Sequence, residues 1–377
     1  ALMPVIRFKG YRGALPALNP QYLPDVNAQS ALNVDLRSPS LKPAKSPLVL
    51  LNTASAAPQA IYKYNSVWFE FSGDTNVVDS PVSNEAYDRR YFSKSDGPWV
   101  TSAALATSGP VPYPSASYRP GVPTPTVRPT IGVAAGVGDI DGTLFYVYCA
   151  VNIYGEIGPP SPVSAKKTVA NVATVPVTLT AVPAGVYAPI ASYNVYRANA
   201  LGTAFQFAFN TATTGAPVND ATVALSNELP STEWDPPPTD LKGIVNLPNA
   251  IQAGFRGNEI LLSEPGLPHA WPVAYRKPVD YRVVSVNALA DGAVVTTAGQ
   301  PYLLVGTHPA SMAPVRLEVP YANLAKRGTV EFGTAVMYPS THGLVMVDGS
   351  GARLVSESIW NKEQWEVLNP SSFRAFA

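Results

Sequence analysis

Three histidines, one cysteine and a few closely spaced acids are the residues of this chain whose chemistry suits catalysis or metal binding. His269, His308 and His342 each adjoin Pro or Gly, and no two fall at the i, i+4 spacing that lets a helix hold zinc. They read as turn or surface histidines. Asp139 and Asp141 stand two apart, which on a strand turns both carboxylates to one face, as in a calcium site or a glycosidase pair. Within Gly138-Asp139-Ile140-Asp141-Gly142 the simpler expectation is a polar turn that opens the next strand. Gly132, Gly136 and Gly138 lack the lysine and the strand–helix setting of a phosphate loop. Neither a nucleophile elbow nor a dinucleotide fingerprint occurs. The single Cys149 excludes an internal disulfide and a cysteine-rich metal site. Trp68, Trp99, Trp234, Trp271, Trp360 and Trp365 have rings that can stack on sugars, but in β proteins such rings mostly pack between sheets. No enzymatic activity is expected, and no catalytic, cofactor or metal site.

The charge balance narrows the class further. Lys+Arg and Asp+Glu are equal at 26 each, so no net basic field exists to grip nucleic acid. Charged residues are 14% of the chain, roughly half the usual share, and the 39 prolines are about twice theirs. A surface so poor in charge gives little colloidal repulsion, which points to an exterior covered by partners. No apolar run reaches the ~18 residues of a membrane span. Residues 1–10 lack the apolar core of a secretion signal, so no leader is expected.

The elements that must position these residues read as strands. Helical periodicity is confined to 27–36, where Ala28, Ala31 and Leu32 share a face. Elsewhere short runs rich in Val, Tyr and Phe end at Gly, Pro, Asn or Asp: 67–71, 144–153, 294–297 and 344–347. The 377 residues leave room for two or three domains at roughly 100–200 residues each. Composition marks two joints. Residues 108–128 are dense in proline and predict a stiff extended linker. The second joint is Trp234-Asp235-Pro236-Pro237-Pro238. The expected order is therefore an N-terminal β body at 1–107, the linker, a sandwich at 129–238, and a C-terminal β body at 239–377 that packs with the first. Hairpin-like units recur in the outer parts at roughly the spacing of propeller blades.

Within the middle segment, Leu144-Phe145-Tyr146-Val147-Tyr148 leads through Asn152 and Gly155 into Gly158-Pro159-Pro160-Ser161-Pro162, and Tyr193-Asn194-Val195-Tyr196-Arg197 follows. This strand spacing resembles a fibronectin type III domain, a two-sheet sandwich of about 100 residues. The expected fold is thus all-β, a propeller-like body interrupted by that sandwich, with an acidic turn at Asp220.

Several outer stretches are similar to one family. Residues 24–34 followed by Ser40-Leu41-Lys42-Pro43-Ala44-Lys45-Ser46-Pro47 look like the opening of tail nozzle (tail tubular protein B-like) subunits of short-tailed bacteriophages. Val78-Asp79-Ser80-Pro81, Tyr87-Asp88-Arg89-Arg90-Tyr91-Phe92, Leu262-Ser263-Glu264-Pro265, Pro268-His269-Ala270-Trp271-Pro272, Pro301-Tyr302-Leu303-Leu304-Val305-Gly306 and Ala325-Lys326-Arg327-Gly328 continue the likeness. The resemblance implies a structural virion protein, assembled in the host cytoplasm into a hexameric ring at the distal end of the tail. Such a ring surrounds the DNA exit channel without reading sequence, and meets tail adaptor and tail fibre proteins. Lys326 and Arg327 are then expected at a subunit contact rather than on DNA. The alternative is a secreted or phage-borne carbohydrate-binding or depolymerising protein.

Overall fold

The computed structural model describes residues 12–35, 42–45, 53–55, 57–199, 202 and 204–375. Strand takes 43% of the chain and helix 6%, so the protein is all-β, with several antiparallel sheets of which none closes on itself. Its contacts group into two compact units, one of residues 54–278 with 307–312, the other of 1–53 with 279–306 and 313–377.

The first unit begins with the hairpin Ala60–Tyr64 and Val67–Phe71, turned at Asn65 with φ +51°, a left-handed angle that Asn tolerates. A three-stranded sheet, Asn76–Asp79, Arg90–Lys94 and Gly97–Thr101, follows. Tyr64, Phe69, Phe71 and Phe92 bury a common aromatic core with Ala106. The strand Lys242–Leu247, first of a four-stranded meander with Ile251–Arg256, Glu259–Leu262 and Lys277–Pro278, is tied to that sheet. The Ile244 amide donates to Ser93 Oγ at 3.1 Å, and Asn246 Nδ2 to the Asp79 carbonyl at 2.8 Å.

The middle of this unit is organised by one strand, Ala135–Asn152, longer than the 144–153 the sequence suggested. It pairs with Lys167–Thr178 on one side and Ile190–Asn199 on the other, with Gln206–Thr211 beyond. From Val175 onward Lys167–Thr178 pairs instead with Pro217–Asp220 and, at its last two residues, with Thr130–Ile131. Leu144, Tyr146, Tyr148 and Ala150 face one core with Val175, Val177, Tyr193 and Val195; Val147 and Cys149 face another with Tyr196. A continuous apolar run suits a strand buried on both faces. Two expected turns are corrected here. Residues 138–142 lie inside the long strand, and Asp220 ends a strand with its side chain buried. The proline-dense 108–128 stretch is packed rather than free-standing. Tyr113 bridges Phe69, Tyr118 exchanges two backbone hydrogen bonds with Val100, and Val122 enters the first core.

The second unit holds two further four-stranded meanders. One runs Val283–Leu289, Gly292–Thr297, Tyr302–Val305 and Ala313–Arg316; the other runs Val330–Glu331, Ala335–Pro339, Leu344–Asp348 and Gly351–Leu354. Val294, Val336, Tyr338, Val345 and Val347 form their core. The helix Lys362–Val367 starts from a capping box in which Asn361 and Gln364 exchange hydrogen bonds, and its buried Trp365 donates Nε1–H to the Ser340 carbonyl at 2.8 Å. The helix expected at 27–36 is absent over its described part. Ala28 makes a bridge to Ala14, Asn33 takes φ +56°, and Val34–Asp35 is a strand paired with Lys42–Pro43. A left-handed residue ends helical propagation, which explains the difference. Of the family-like opening, residues 36–41 and 46–47 lie outside the described residues, as does the leader reading of 1–10.

Candidate functional site

Arg89 immediately precedes the strand Arg90–Lys94 and is 4% exposed. Its guanidinium meets two carboxylates from different segments: Nη2 lies 2.7 Å from Glu85 Oε2, and Nη1 lies 2.5 Å from Glu156 Oε1. Glu85 is fixed from its own loop by Ser80 Oγ at 2.7 Å. Glu156 sits in the turn that closes the long strand. There Asn152 Nδ2 donates to Glu156 Oε2 at 2.7 Å, and Asn152 Oδ1 accepts from the amides of Tyr154 and Glu156. Such a side chain-to-backbone knot is why Asn opens the turn. Tyr154 lies under the guanidinium at 4.9 Å, within cation–π reach.

A third segment enters from the tight loop after Glu259–Leu262. His269, 3% exposed, places Nδ1 3.6 Å from Glu156 Oε1 and meets the Trp234 ring edge-on at 5.8 Å. Neither ring nitrogen has a hydrogen-bond partner. Of the turn or surface histidine expected here, the turn is present but the side chain is buried. Burial, and behind it the Arg89 charge, hold its imidazole below the usual range against the pull of Glu156 and of the Ile157 backbone. Burial alone would raise the Glu85 carboxyl, but the hydrogen bonds from Arg89 and Ser80 and the Arg89 charge outweigh it and hold it below the usual range. For Arg89, burial opposes the charge, while Tyr91 and the two carboxylates keep it firmly protonated.

A second buried pair lies in the middle segment. Arg197 Nη1 lies 2.7 Å from Asp220 Oδ2, which also accepts from Tyr146 Oη at 2.8 Å, and Arg197 Nη2 donates to the Thr222 carbonyl. Burial and the neighbouring Asp220 push the Tyr146 hydroxyl well up. Burial likewise pushes the Cys149 thiol up to about 12, which keeps it in the neutral thiol form as a packed side chain. These arrangements neutralise charge and join segments. In the sequence Arg89 stands out only as part of a family-like run and Glu156 not at all; the signal that finds them is an Arg four residues after Glu85 together with an Asn-x-x-x-Glu turn.

The other expected residues are dispersed. His308 and His342 are exposed, each edge-on to a tyrosine, Tyr275 and Tyr321. Asp139 and Asp141 are exposed on one face of the long strand, and among the described residues no group of His, Cys, Asp and Glu is placed to hold a metal. Trp99 has two cations over its ring, Arg119 at 4.0 Å and Lys94 at 4.8 Å, and Trp271 and Trp365 are buried. Lys326 and Arg327 lie on a single 3-10 turn, Lys326–Gly328, rather than at a strand edge. Asn323 sets that turn by accepting from the Ala325 amide at 2.9 Å and donating to Thr296 and Thr329 at 2.8 Å each. The Arg327 carbonyl accepts from the Ala375 amide at 2.8 Å. Among the described residues no helix is long and apolar enough to cross a membrane.

Comparisons with known proteins add little. No family model and no curated protein matches the chain. Among solved structures, apo AztD from Citrobacter koseri aligns over 76% of this chain and 72% of its own at 11% identity, with a TM-score of 0.27. That score carries neither fold nor function.

Proposed function

We propose that this chain is a structural virion protein, a subunit of a ring at the distal end of a short bacteriophage tail. The observation that carries the reading is where the charge goes. Arg89, Glu85, Glu156, Arg197 and Asp220 are turned inward on one another, while large apolar side chains such as Val133, Val137 and Phe332 face outward. Single exposed apolar residues are ordinary, but a chain with only 14% charged residues has little to keep such a surface apart from its copies. The family-like stretches of the outer parts support the same reading. So does the repetition of four-stranded meanders beginning at Lys242, Val283 and Val330, each a small sheet suited to act as one blade of a propeller-like body. In this reading the double-cored segment of 129–238 is a fibronectin type III-like insertion between blades.

Six copies would enclose a lumen that passes DNA without holding it, because a net charge of zero offers no steep phosphate attraction. Lys326 and Arg327, on their anchored turn, would meet a neighbouring subunit, and the outer rim would receive adaptor and fibre proteins. Negative-stain imaging of the purified chain tests this. Closed rings are the expected result. Dispersed monomers that release sugars from host polysaccharide would overturn it in favour of a carbohydrate-depolymerising protein.

A further inference from the structure

We propose that His269 is an acid-sensitive latch, which closes the hairpin turn at Glu156 onto Arg89 while its ring is neutral and lets the turn open when the ring takes a proton. Three chain segments far apart in sequence converge on it: Glu85–Arg89, the turn 152–156, and the loop 264–270. The converging groups are unequal in what they can offer a proton. From the turn, Glu156 faces Nδ1 at 3.6 Å, but its Oε1 is already held by Arg89 at 2.5 Å and its Oε2 by Asn152 at 2.7 Å. From the strand side comes the Arg89 cation itself, with Glu85 bound to its far edge and Tyr91 beside it. From the third side comes Trp234, which is uncharged, with its ring perpendicular to the imidazole. The local set without His269 is one cation and two carboxylates, and both carboxylates are already engaged with that cation. A second cation in this space would share Glu156 Oε1, 3.6 Å away, with Arg89, would find the Ile157 backbone as its other acceptor, and would stand beside the Arg89 charge that repels it.

Burial of the ring and the neighbouring Arg89 cation outweigh those acceptors, so the proton is accepted more readily by an opened state in which water reaches the ring. The sign follows from proton counts. Between the depressed value of the closed state and the ordinary histidine value near 6.5, the open state binds one proton more than the closed state. Closure is therefore strongest above that ordinary value, and it weakens as pH falls below it, by at most tenfold per pH unit. The Glu85 carboxyl, held below its usual range, titrates lower still and leaves the window between pH 5 and 7.5 to His269. The amides of Asn152, Ile153 and Gly155 report on the latch, because their acceptors are the Glu156, Pro189 and Asn152 carbonyls within and beside the turn.

Hydrogen exchange of those three amides, corrected for intrinsic rate, is to be followed from pH 7.5 to 5.0 in the wild-type chain and in H269Q. Protection that falls below pH 6.5 in the wild type, by at most tenfold per unit, and stays flat in H269Q, is the expected result. An equal fall in both, or a flat wild type, overturns the latch. Should H269Q fail to fold, the wild-type ring is followed directly by NMR, its signal assigned by elimination with H308Q and H342Q. The ring must then take its proton over the same pH range in which protection is lost. A ring that protonates while the three amides stay protected overturns the proposal equally.

Discussion

Arg89 is held from three sides, and its removal leaves two buried carboxylates without their cation. Breaking a buried pair from one side costs about 3–5 kcal/mol, far more than the pair contributes net over apolar residues of the same shape. Arg89→Ala is expected to lower unfolding stability by about that amount in urea, and Arg89→Met together with Glu85→Gln and Glu156→Gln to restore part of it. A triple variant no better than Arg89→Ala would deny the charge argument and leave only lost packing. The acid limb of stability has its own residue. Because the Glu85 carboxyl is held below its usual range, it stabilises the fold above that range and the contribution is lost as pH falls through it. Glu85→Gln should flatten the stability–pH curve below about pH 4.5 while leaving the region near neutrality sloped as before. At this scale the sequence was least legible. His269 next to Pro268 looks like a turn histidine, and nothing local tells that Glu156 and Arg89, 67 positions apart, meet over it.

The elements were easier to read, since short apolar runs bounded by Gly, Pro, Asn and Asp report a strand locally. The strand Val67–Phe71 ends where its sequence signals place it, and 294–297 and 344–347 each fall inside a strand only slightly longer. The errors arose where pairing, not propensity, decides. Gly138 and Gly142 look like turn residues, yet the ladder to Lys167–Thr178 carries the strand through them with two register shifts. Asn33, at φ +56°, stops the helix that the spacing of Ala28, Ala31 and Leu32 predicts. Two variants test the elements. Tyr196 packs at 3% exposure with Val147 and Cys149, so Tyr196→Ala should cost about 3–5 kcal/mol, read as early loss of protection in 144–209 on heating. Loss spread evenly over the chain would count against a separately packed middle segment. Gly292 turns its hairpin at φ +149°, and a Cβ there would lie 2.2 Å from the Leu304 carbonyl oxygen. Gly292→Ala is expected to destabilise by more than about 1 kcal/mol by calorimetry, because both the angle and the space exclude the methyl.

At the scale of the whole molecule, the account rests on association rather than on chemistry. In the proposed ring, a balanced, charge-poor chain gains little from staying apart, and its charged side chains buried in ion pairs are withheld from the surface that would keep copies separate. Lys326→Ala with Arg327→Ala should reduce assembly while leaving the fold intact, as seen by circular dichroism beside sedimentation; a surface ion pair contributes at most ~1 kcal/mol per contact, but a ring repeats it at every interface. Wild-type affinity for duplex DNA should be weak and only shallowly dependent on salt. The most direct measurement is native mass spectrometry of the purified 377-residue chain at near-physiological salt. The account predicts one closed assembly of six copies. A monomer at every concentration up to the limit of solubility would contradict it.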